Sequence, residues 1–329
     1  MLRGYKTRRR STVAVMVMAL LTYLSSPAHA QKYPDHPVKI VLPFGAGGIA
    51  DVTARIVADK LSDKLGQRFV IENMPGAGGI NAAKAVLGST ADGYTIGYVT
   101  NGTAISAAQF KSLPFDPVKE FEMVSALGTF DLVFAVNADS KFKMLADFVN
   151  AAKAQPGKLN VGTINVGGTQ NLGAELFKSV ANINIQIVPY RNSPDIVVAL
   201  LRNDVQMLVE FPAAIKGQVA DGKFRLLATS GPKRSPSMPN LPTVEEAGVK
   251  GYEVTSWNGV FAPKGTPKEV IVTINEALTN ILAMPDVKQK FMELGIEAKS
   301  SSPDELMALY KSDVKKWNDV ILKAGIEKK

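Results

Sequence analysis

From residue 38 onward, short apolar runs alternate with longer stretches in which apolar positions recur every three or four residues. Val38-Lys-Ile-Val-Leu42 reads as a strand. Residues 50–65, stopped by Gly66, read as a helix. The alternation continues with a strand over 68–72, a helix over 81–87 and a strand over 94–99. It resumes with strands at 159–162, 185–188, 205–209 and 224–229, separated by helices at 171–180 and 196–201. Repeated βα units predict an α/β chain built on parallel sheets covered by helices. The last third reads as mostly helical. Thr266-Pro-Lys-Glu269 and Ser302-Pro-Asp-Glu305 each place a hydroxyl at the N-cap, Pro at the first helical position and Glu two residues later. Thr243 with Glu246 repeats the box.

The loops between these units carry the chemistry. Gly45-Ala-Gly-Gly-Ile49 recurs as Gly76-Ala-Gly-Gly-Ile80, one βα unit further on, each copy after a strand and before a helix. A third glycine loop, Gly162-Thr163-Ile-Asn-Val-Gly167-Gly168-Thr169, sits between a strand and a helix and adds hydroxyls. Glycine lets the backbone approach a ligand closely. The unpaired first-turn amides of the following helix form the positive end of its dipole and receive anions without a charged side chain. In a parallel sheet all three loops fall at the carboxyl ends of the strands, where open α/β sheets bind ligands. One such loop is an ordinary tight turn; three, two of them identical, point to an anion site.

The N-terminus reads as a secretory signal. Arg3, Lys6, Arg8, Arg9 and Arg10 precede a twelve-residue apolar stretch, Val13 to Leu24, and Ala28-His29-Ala30 forms an A-x-A cleavage site. Twelve helical residues span about 18 Å, too short for a hydrocarbon core of about 30 Å. Cleavage is expected after Ala30, in the bacterial periplasm. No later segment is apolar enough to span a membrane, which reads as a soluble mature protein. Export changes the charge. The chain carries 38 basic and 30 acidic residues, a net +8. Losing the five basic residues of the signal leaves about +3, and nucleic-acid binding loses its main support. There is no Cys, and the only histidines are His29 and His36. A disulfide framework, a thiolate metal site and a Cys nucleophile are excluded, and a His-based triad has almost nothing to draw on. No metal or cofactor is expected.

Gly45-x-Gly47-x-x-Ala50, with Glu72 at the end of the next strand, also fits a dinucleotide fingerprint. The second GAGG loop has no role in that motif, and Asp51 would face the pyrophosphate. There is no G-x-S-x-G elbow, Walker A sequence or H-E-x-x-H.

Pro43-Phe-Gly-Ala-Gly-Gly-Ile-Ala-Asp51 resembles the P-[FY]-x-x-G-G-x-x-D opening of the Bug receptors, the periplasmic substrate-binding proteins of tripartite tricarboxylate transporters. Further matches run in order along the mature chain: Glu72-Asn-Met-Pro-Gly-Ala-Gly-Gly79, Asp92-Gly-Tyr-Thr95, Val188-Pro-Tyr190, the stretch from Arg234 to Gly248, and Trp257-Asn-Gly-Val-Phe-Ala-Pro-Lys-Gly-Thr-Pro267. The resemblance implies a two-domain periplasmic binding protein of type II, a Venus flytrap whose domains are each a mainly parallel sheet flanked by helices. Its domains would be 31–130 plus 257–329 and 131–256, with crossings near 127–136 and 252–260. It implies a monomeric receptor, not an enzyme, that closes on a small carboxylate and delivers it to the membrane components of the transporter. An exported hydrolase or oxidoreductase on a similar frame, and a sensory receptor without transport, are the other readings.

By position, the resemblance and the loops nominate Phe44, Gly45, Ala46, Gly47 and Gly48 from the first loop, and Asn101 and Thr103 after the third strand. The second domain would offer Thr163, Gly168, Thr169, Tyr190, Arg191 and Asn192. Asp51 belongs to the same set, although a carboxylate in a first helical turn caps or bonds its loop more naturally than it meets an anion. Arg191 either pairs with a carboxylate or is solvated; Glu210 either selects a cationic group or lies at the rim; Trp257 and Asn258 are hinge or cleft. From Tyr190 to Gln206 the chain departs from the usual Y-K-G-x-x-P-A-x-x-D-L-x-G-G-x-x-D. Pro194 comes one place early, Ala199 stands for Asp, Arg202-Asn203 for Gly-Gly and Gln206 for the last Asp.

Overall fold

The computed structural model describes residues 33–47, 49–76, 79–164 and 166–328. The signal segment, its cleavage site and Gly48 lie outside the described residues. The chain divides into a leading unit, Met1–Asp35, and a second, His36–Lys329, which carries all the described strands and helices.

The first lobe opens with β1 (Val38–Leu42), α1 (Ile49–Leu65), β2 (Phe69–Asn73), α2 (Ile80–Leu87), β3 (Thr95–Thr100), α3 (Asn101–Gln109), the single turn α4 (Pro117–Glu120) and β4 (Phe121–Asp131). The second lobe follows with β5 (Val133–Asn137), α5 (Leu145–Ala154), β6 (Asn160–Ile164), α6 (Thr169–Val180), β7 (Gln186–Tyr190), α7 (Ser193–Leu201), β8 (Met207–Glu210), α8 (Pro212–Ala220) and β9 (Phe224–Thr229). The chain then returns to the first lobe with β10 (Thr255–Pro263), α9 (Lys268–Ala283), α10 (Pro285–Glu293), β11 (Glu297–Ala298) and α11 (Pro303–Lys323).

The first sheet has the order β11-β4-β10-β3-β1-β2 and the second β7-β6-β8-β5-β9. The expected βα units supply the parallel part. β1 pairs in parallel with β2 (Val38 opposite Phe69) and β3 (Lys39 opposite Thr95), and β6 with β7 and β8. Both sheets are nevertheless mixed. β4 leaves the first sheet for the second and β10 comes back, so the two run antiparallel from Thr255 opposite Asp131 to Pro263 opposite Phe121. β5 and β9 are antiparallel for the same reason. These connecting strands, together with α3 and α5, are elements that the apolar pattern does not mark; the resemblance gave only crossings near 127–136 and 252–260, and the strands there span Phe121–Asp131, Val133–Asn137 and Thr255–Pro263. The crossings lie side by side. Leu132 N–H donates to Ser230 Oγ at 2.8 Å, Ser230 N–H to the Leu132 carbonyl at 2.9 Å, and the Ser230 hydroxyl to the Val254 carbonyl.

Three start signals have three outcomes. Ser302 caps α11 as expected: its Oγ accepts from Glu305 N–H at 3.2 Å and Glu305 Oε2 accepts from Ser302 N–H at 2.8 Å. Thr243 and Glu246 make the same reciprocal pair, at 3.0 Å each way, but close only a turn. Thr266 does not cap α9, because its hydroxyl donates to the Pro263 carbonyl at 2.8 Å and Pro267 takes the cap position.

One core cluster spans both lobes, and a second, around Val133 and Ile196, lies in the second lobe. Buried side chains of both lobes, from Val41 and Val99 through Phe134 and Phe177 to Trp257 and Trp317, form one cluster. Helix α11 packs on α3 and β4 of the first lobe and also touches α6 of the second. That placement puts the C-terminal helix directly behind the strand ends where the glycine loops lie.

Candidate functional site

The carboxyl ends of β1, β2 and β3 share one edge of the first sheet, and the loops that leave them face the loop after β6. Between them is a cleft of about 450 Å³. Its first-lobe wall is built from Pro43 and Phe44 after β1, Gly76 and Gly79 after β2, and Thr100, Gly102, Thr103, Ile105, Ser106, Gln109 and Phe110 from the end of β3 and α3. The opposite wall is Val166, Gly167, Gly168 and Thr169.

Two glycines show why the loops need that residue. Gly79 has φ +89°, and a Cβ there would come within 3.3 Å of Pro43, so glycine lets the two repeated loops pack against each other. Gly167 has φ +78°, and a Cβ there would fall 1.9 Å from Gln109 Nε2 across the cleft. A side chain at either position is also strained by its backbone. Gly168 differs: at φ −76° and ψ 165° any residue fits its backbone.

Three helices begin at this cleft. Gly79 is the N-cap of α2, Thr100 of α3 and Gly168 of α6. The two glycine caps offer no side-chain acceptor to their first-turn amides. Three positive dipole ends, from both lobes, therefore converge on one space. Hydroxyls stand beside them. Thr103 Oγ1 accepts from Thr100 N–H at 3.2 Å, which leaves its own proton to donate. Among the described residues no Asp, Glu, Lys, Arg or His lines the cleft. Such a wall holds an anion by backbone dipoles and hydroxyls, and it has no titratable group to move a proton.

Of the nominated residues, the structure brings Phe44, Thr103, Gly168 and Thr169 to the cleft. Gly45, Ala46 and Gly47 form the exposed loop that continues from Phe44. The others are placed elsewhere, each with a reason. Asp51, 3% exposed, holds that loop: its Oδ2 accepts from Gly47 N–H and Arg55 Nε, and its Oδ1 from Arg55 Nη2 and Asn73 Nδ2, all at 2.9 Å. The bonds from Arg55, chiefly, hold its pKa down at about 2 against the cost of burial. Thr163 is buried under the third loop, where Asn171 ties the two together: Asn171 Nδ2 donates to Thr163 Oγ1 at 3.3 Å and its Oδ1 accepts from Gly167 N–H at 2.9 Å. Tyr190 packs against the Val133–Ile196 core of the second lobe, Arg191 is exposed, and Asn192 caps α7 through Asp195 N–H at 2.9 Å. Glu210 does not line the cleft. It is 1% exposed and accepts from Gln170 Nε2, Ser193 Oγ and Phe211 N–H, each at 2.7 Å.

Asn101 lies just behind the cleft, fully buried, and joins the two lobes. Its Oδ1 accepts from Thr169 Oγ1 at 3.0 Å and its Nδ2 donates to Asp313 Oδ2 at 2.7 Å. The same Asp313 oxygen accepts from Trp257 Nε1 at 2.7 Å, while Lys316 Nζ pairs with Oδ1 at 3.1 Å. Sequence reasoning missed Asp313. Its signal was present: it interrupts the apolar face of α11 formed by Leu306, Tyr310, Trp317 and Val320, and an acid at such a position needs buried partners. Trp257 belongs to that polar network and to β10.

A family model described as the tripartite tricarboxylate transporter family receptor matches residues 53–326. Among solved structures, the R. palustris protein Rpa4515 with adipate is 33% identical at a TM-score of 0.78, over 90% of this chain and 99% of that one. The periplasmic binding protein BugD is 30% identical at a TM-score of 0.75, over 90% of this chain and 100% of that one. MatC from Rhodopseudomonas palustris, with bound malate, is 28% identical at a TM-score of 0.73, over 88% of this chain and 100% of that one.

Proposed function

Because the chain belongs to the tripartite tricarboxylate transporter receptor family, whose members are binding proteins and not enzymes, we propose that it captures a small organic carboxylate in the cleft and delivers it to the membrane components of such a transporter. The observation that carries this reading is the convergence of three helix N-termini, drawn from both lobes, on a cleft wall that has no charged side chain among the described residues. Such a wall stabilises a small anion, and a carboxylate is one. The adipate and malate bound by two relatives are of the same chemical class.

The mechanism follows from the topology. Among the described residues two chain crossings, at Leu132 and between Thr229 and Thr255, join the two sheets. They act as the hinge between domains 31–130 plus 257–329 and 131–256. A ligand that meets the α2 and α3 ends on one lobe and the α6 end on the other binds the closed form better than the open one, and so shifts the population toward closure. The Thr169–Asn101 bond adds a direct link between the lobes when they meet. The closed form presents the surface that the membrane components read. The receptor acts as a monomer in the periplasm, after cleavage behind Ala30.

The test is a thermal-shift screen of protein spanning Gln31–Lys329, unfolded and refolded to strip any bound ligand, against small mono- and dicarboxylates. A ligand at a hundred times its Kd adds about 2.7 kcal/mol, which raises Tm by about 5 °C for a chain of this size. Gly168→Val fills the cleft without straining the backbone and abolishes that shift at unchanged basal Tm. The reading fails if no carboxylate stabilises the stripped protein, or if Gly168→Val binds as the native protein does.

A further inference from the structure

The second question at this cleft is which carboxylates it accepts, and the carboxylate side chains around it answer part of it. An ammonium group drawn out of water needs an anion or a set of free acceptors beside it. Acidic side chains stand on the elements that build the cleft or directly behind them, and protein donors engage four of them; another, Glu175 on α6, lines a separate cavity. Asp51 has two donors on each oxygen. Glu210 receives two on Oε1 and one on Oε2. Asp313 receives two on Oδ2 and pairs with Lys316 through Oδ1. Glu72, at the carboxyl end of β2, pairs with Lys39 at 2.7 Å. None of the four lines the cleft. The polar groups that do face it are helix N-termini, the Thr103, Ser106 and Thr169 hydroxyls and the Gln109 amide, and the positive helix ends oppose a positive charge as strongly as they favour a negative one.

Apolar side chains make up much of the remaining wall, beside Ser106 and Gln109. Phe44, 38% exposed, stands on the first lobe and Val166, 53% exposed, on the second, with Pro43 and Phe110 beside them. Large apolar side chains left open on facing walls gain by covering a hydrocarbon body between them.

We infer that the cleft selects carboxylates that carry no ammonium group and have a hydrocarbon body, and that it discriminates against the α-amino acids of the same skeleton. The inference rests on the receptor reading above and narrows it. A ligand of this kind places its carboxylate at the helix ends and its methylenes or ring between Phe44 and Val166. An α-amino acid brings its ammonium group to the same helix ends, where no carboxylate is free to meet it.

The test uses matched pairs in isothermal titration with the refolded Gln31–Lys329 protein: adipate against 2-aminoadipate, 3-phenylpropionate against phenylalanine, and succinate against aspartate. The expected result is at least tenfold tighter binding of the unaminated member in every pair that binds, with adipate tighter than succinate. Val166→Ser, an exposed change that leaves the fold intact, weakens adipate and 3-phenylpropionate severalfold and succinate less. Equal or tighter binding of the amino acids overturns the selectivity and leaves the receptor reading standing. Binding by neither member of any pair overturns both.

Discussion

Asp131 closes β4 at the point where the chain leaves the first sheet, and its environment makes stability depend on pH in a defined direction. Its Oδ1 accepts from Thr255 Oγ1 at 3.2 Å, and its carboxyl group lies over Gly231, where a Cβ would come within 2.3 Å of Oδ2. Burial is the main cause that raises its pKa from 3.8 to about 6. The charges of Glu297 and Glu253 add to the shift, and the Thr255 bond opposes it. A shift of about two units corresponds to about 3 kcal/mol, and about half of that is the working figure for a side chain that solvent still reaches. The folded protein holds this proton more tightly than the unfolded chain. The cost of ionising it is therefore absent below about pH 4, grows between about pH 4 and pH 6, and is constant above. Asp131→Asn keeps an acceptor for Thr255 and removes the charge. It is expected to exceed the native protein by only about 0.5 kcal/mol near pH 4.5 and by about 1.5 kcal/mol, or about 3 °C in Tm, at pH 7.5. The assay is thermal unfolding of both proteins, ligand-free, from pH 4.5 to 8. Because every other titrating group is shared, the difference between the two curves isolates Asp131. A difference that does not change with pH, or one in which the variant loses ground as pH rises, refutes the reasoning.

Other consequences can be checked in the same way. Asp51→Ala removes the acceptor of four hydrogen bonds, one from Gly47 of the first glycine loop and three from Arg55 and Asn73; it should cost about 2–3 kcal/mol in urea unfolding and weaken carboxylate binding more than tenfold. Ser302→Ala deletes the capping box of α11 and should lower stability by about 1 kcal/mol, with carboxylate affinity unchanged in titration because the cap lies outside the cleft. Thr169→Val removes the hydroxyl that donates to Asn101 across the lobes. It should leave the unfolding midpoint within about 0.5–1.5 kcal/mol of native and speed ligand release severalfold in stopped-flow displacement, since the lost bond acts only when the lobes are together.

The parts of the site that were legible in the sequence are those whose partners are near in the chain. Phe44, Gly79, Gly168 and Thr169 sit at strand-to-helix turns, and the turn itself, with glycine where φ is positive, is a local property. The same holds for the Ser302 box, formed within three residues. The Thr243 box shows the limit of local signals: the reciprocal bonds form, but Gly248, at φ +102°, ends the turn before a helix extends. Glu210 and Asn101 show a different limit. Each is a polar residue beside a nominated loop, and the sequence alone offers solvent or ligand as its partner. The structure supplies Gln170 and Ser193 to the first and Asp313 to the second, the last of them 212 residues away.

The sequence by itself therefore determined the βα alternation, the glycine loops at helix starts, the absence of cysteine chemistry and the family. All of these are carried by residue type and short spacing. Only the tertiary structure decided that both sheets are mixed, because the direction of β10 depends on where the chain returns from, and not on its own residues. It also decided which carboxylates are free. Whether Asp51, Glu210 or Asp313 faces a ligand depends on donors that folding brings to it, and folding supplies donors to each of the three. The charge of the cleft wall is thus set by long-range packing, and that packing leaves helix ends, hydroxyls, the Gln109 amide and apolar side chains to line it.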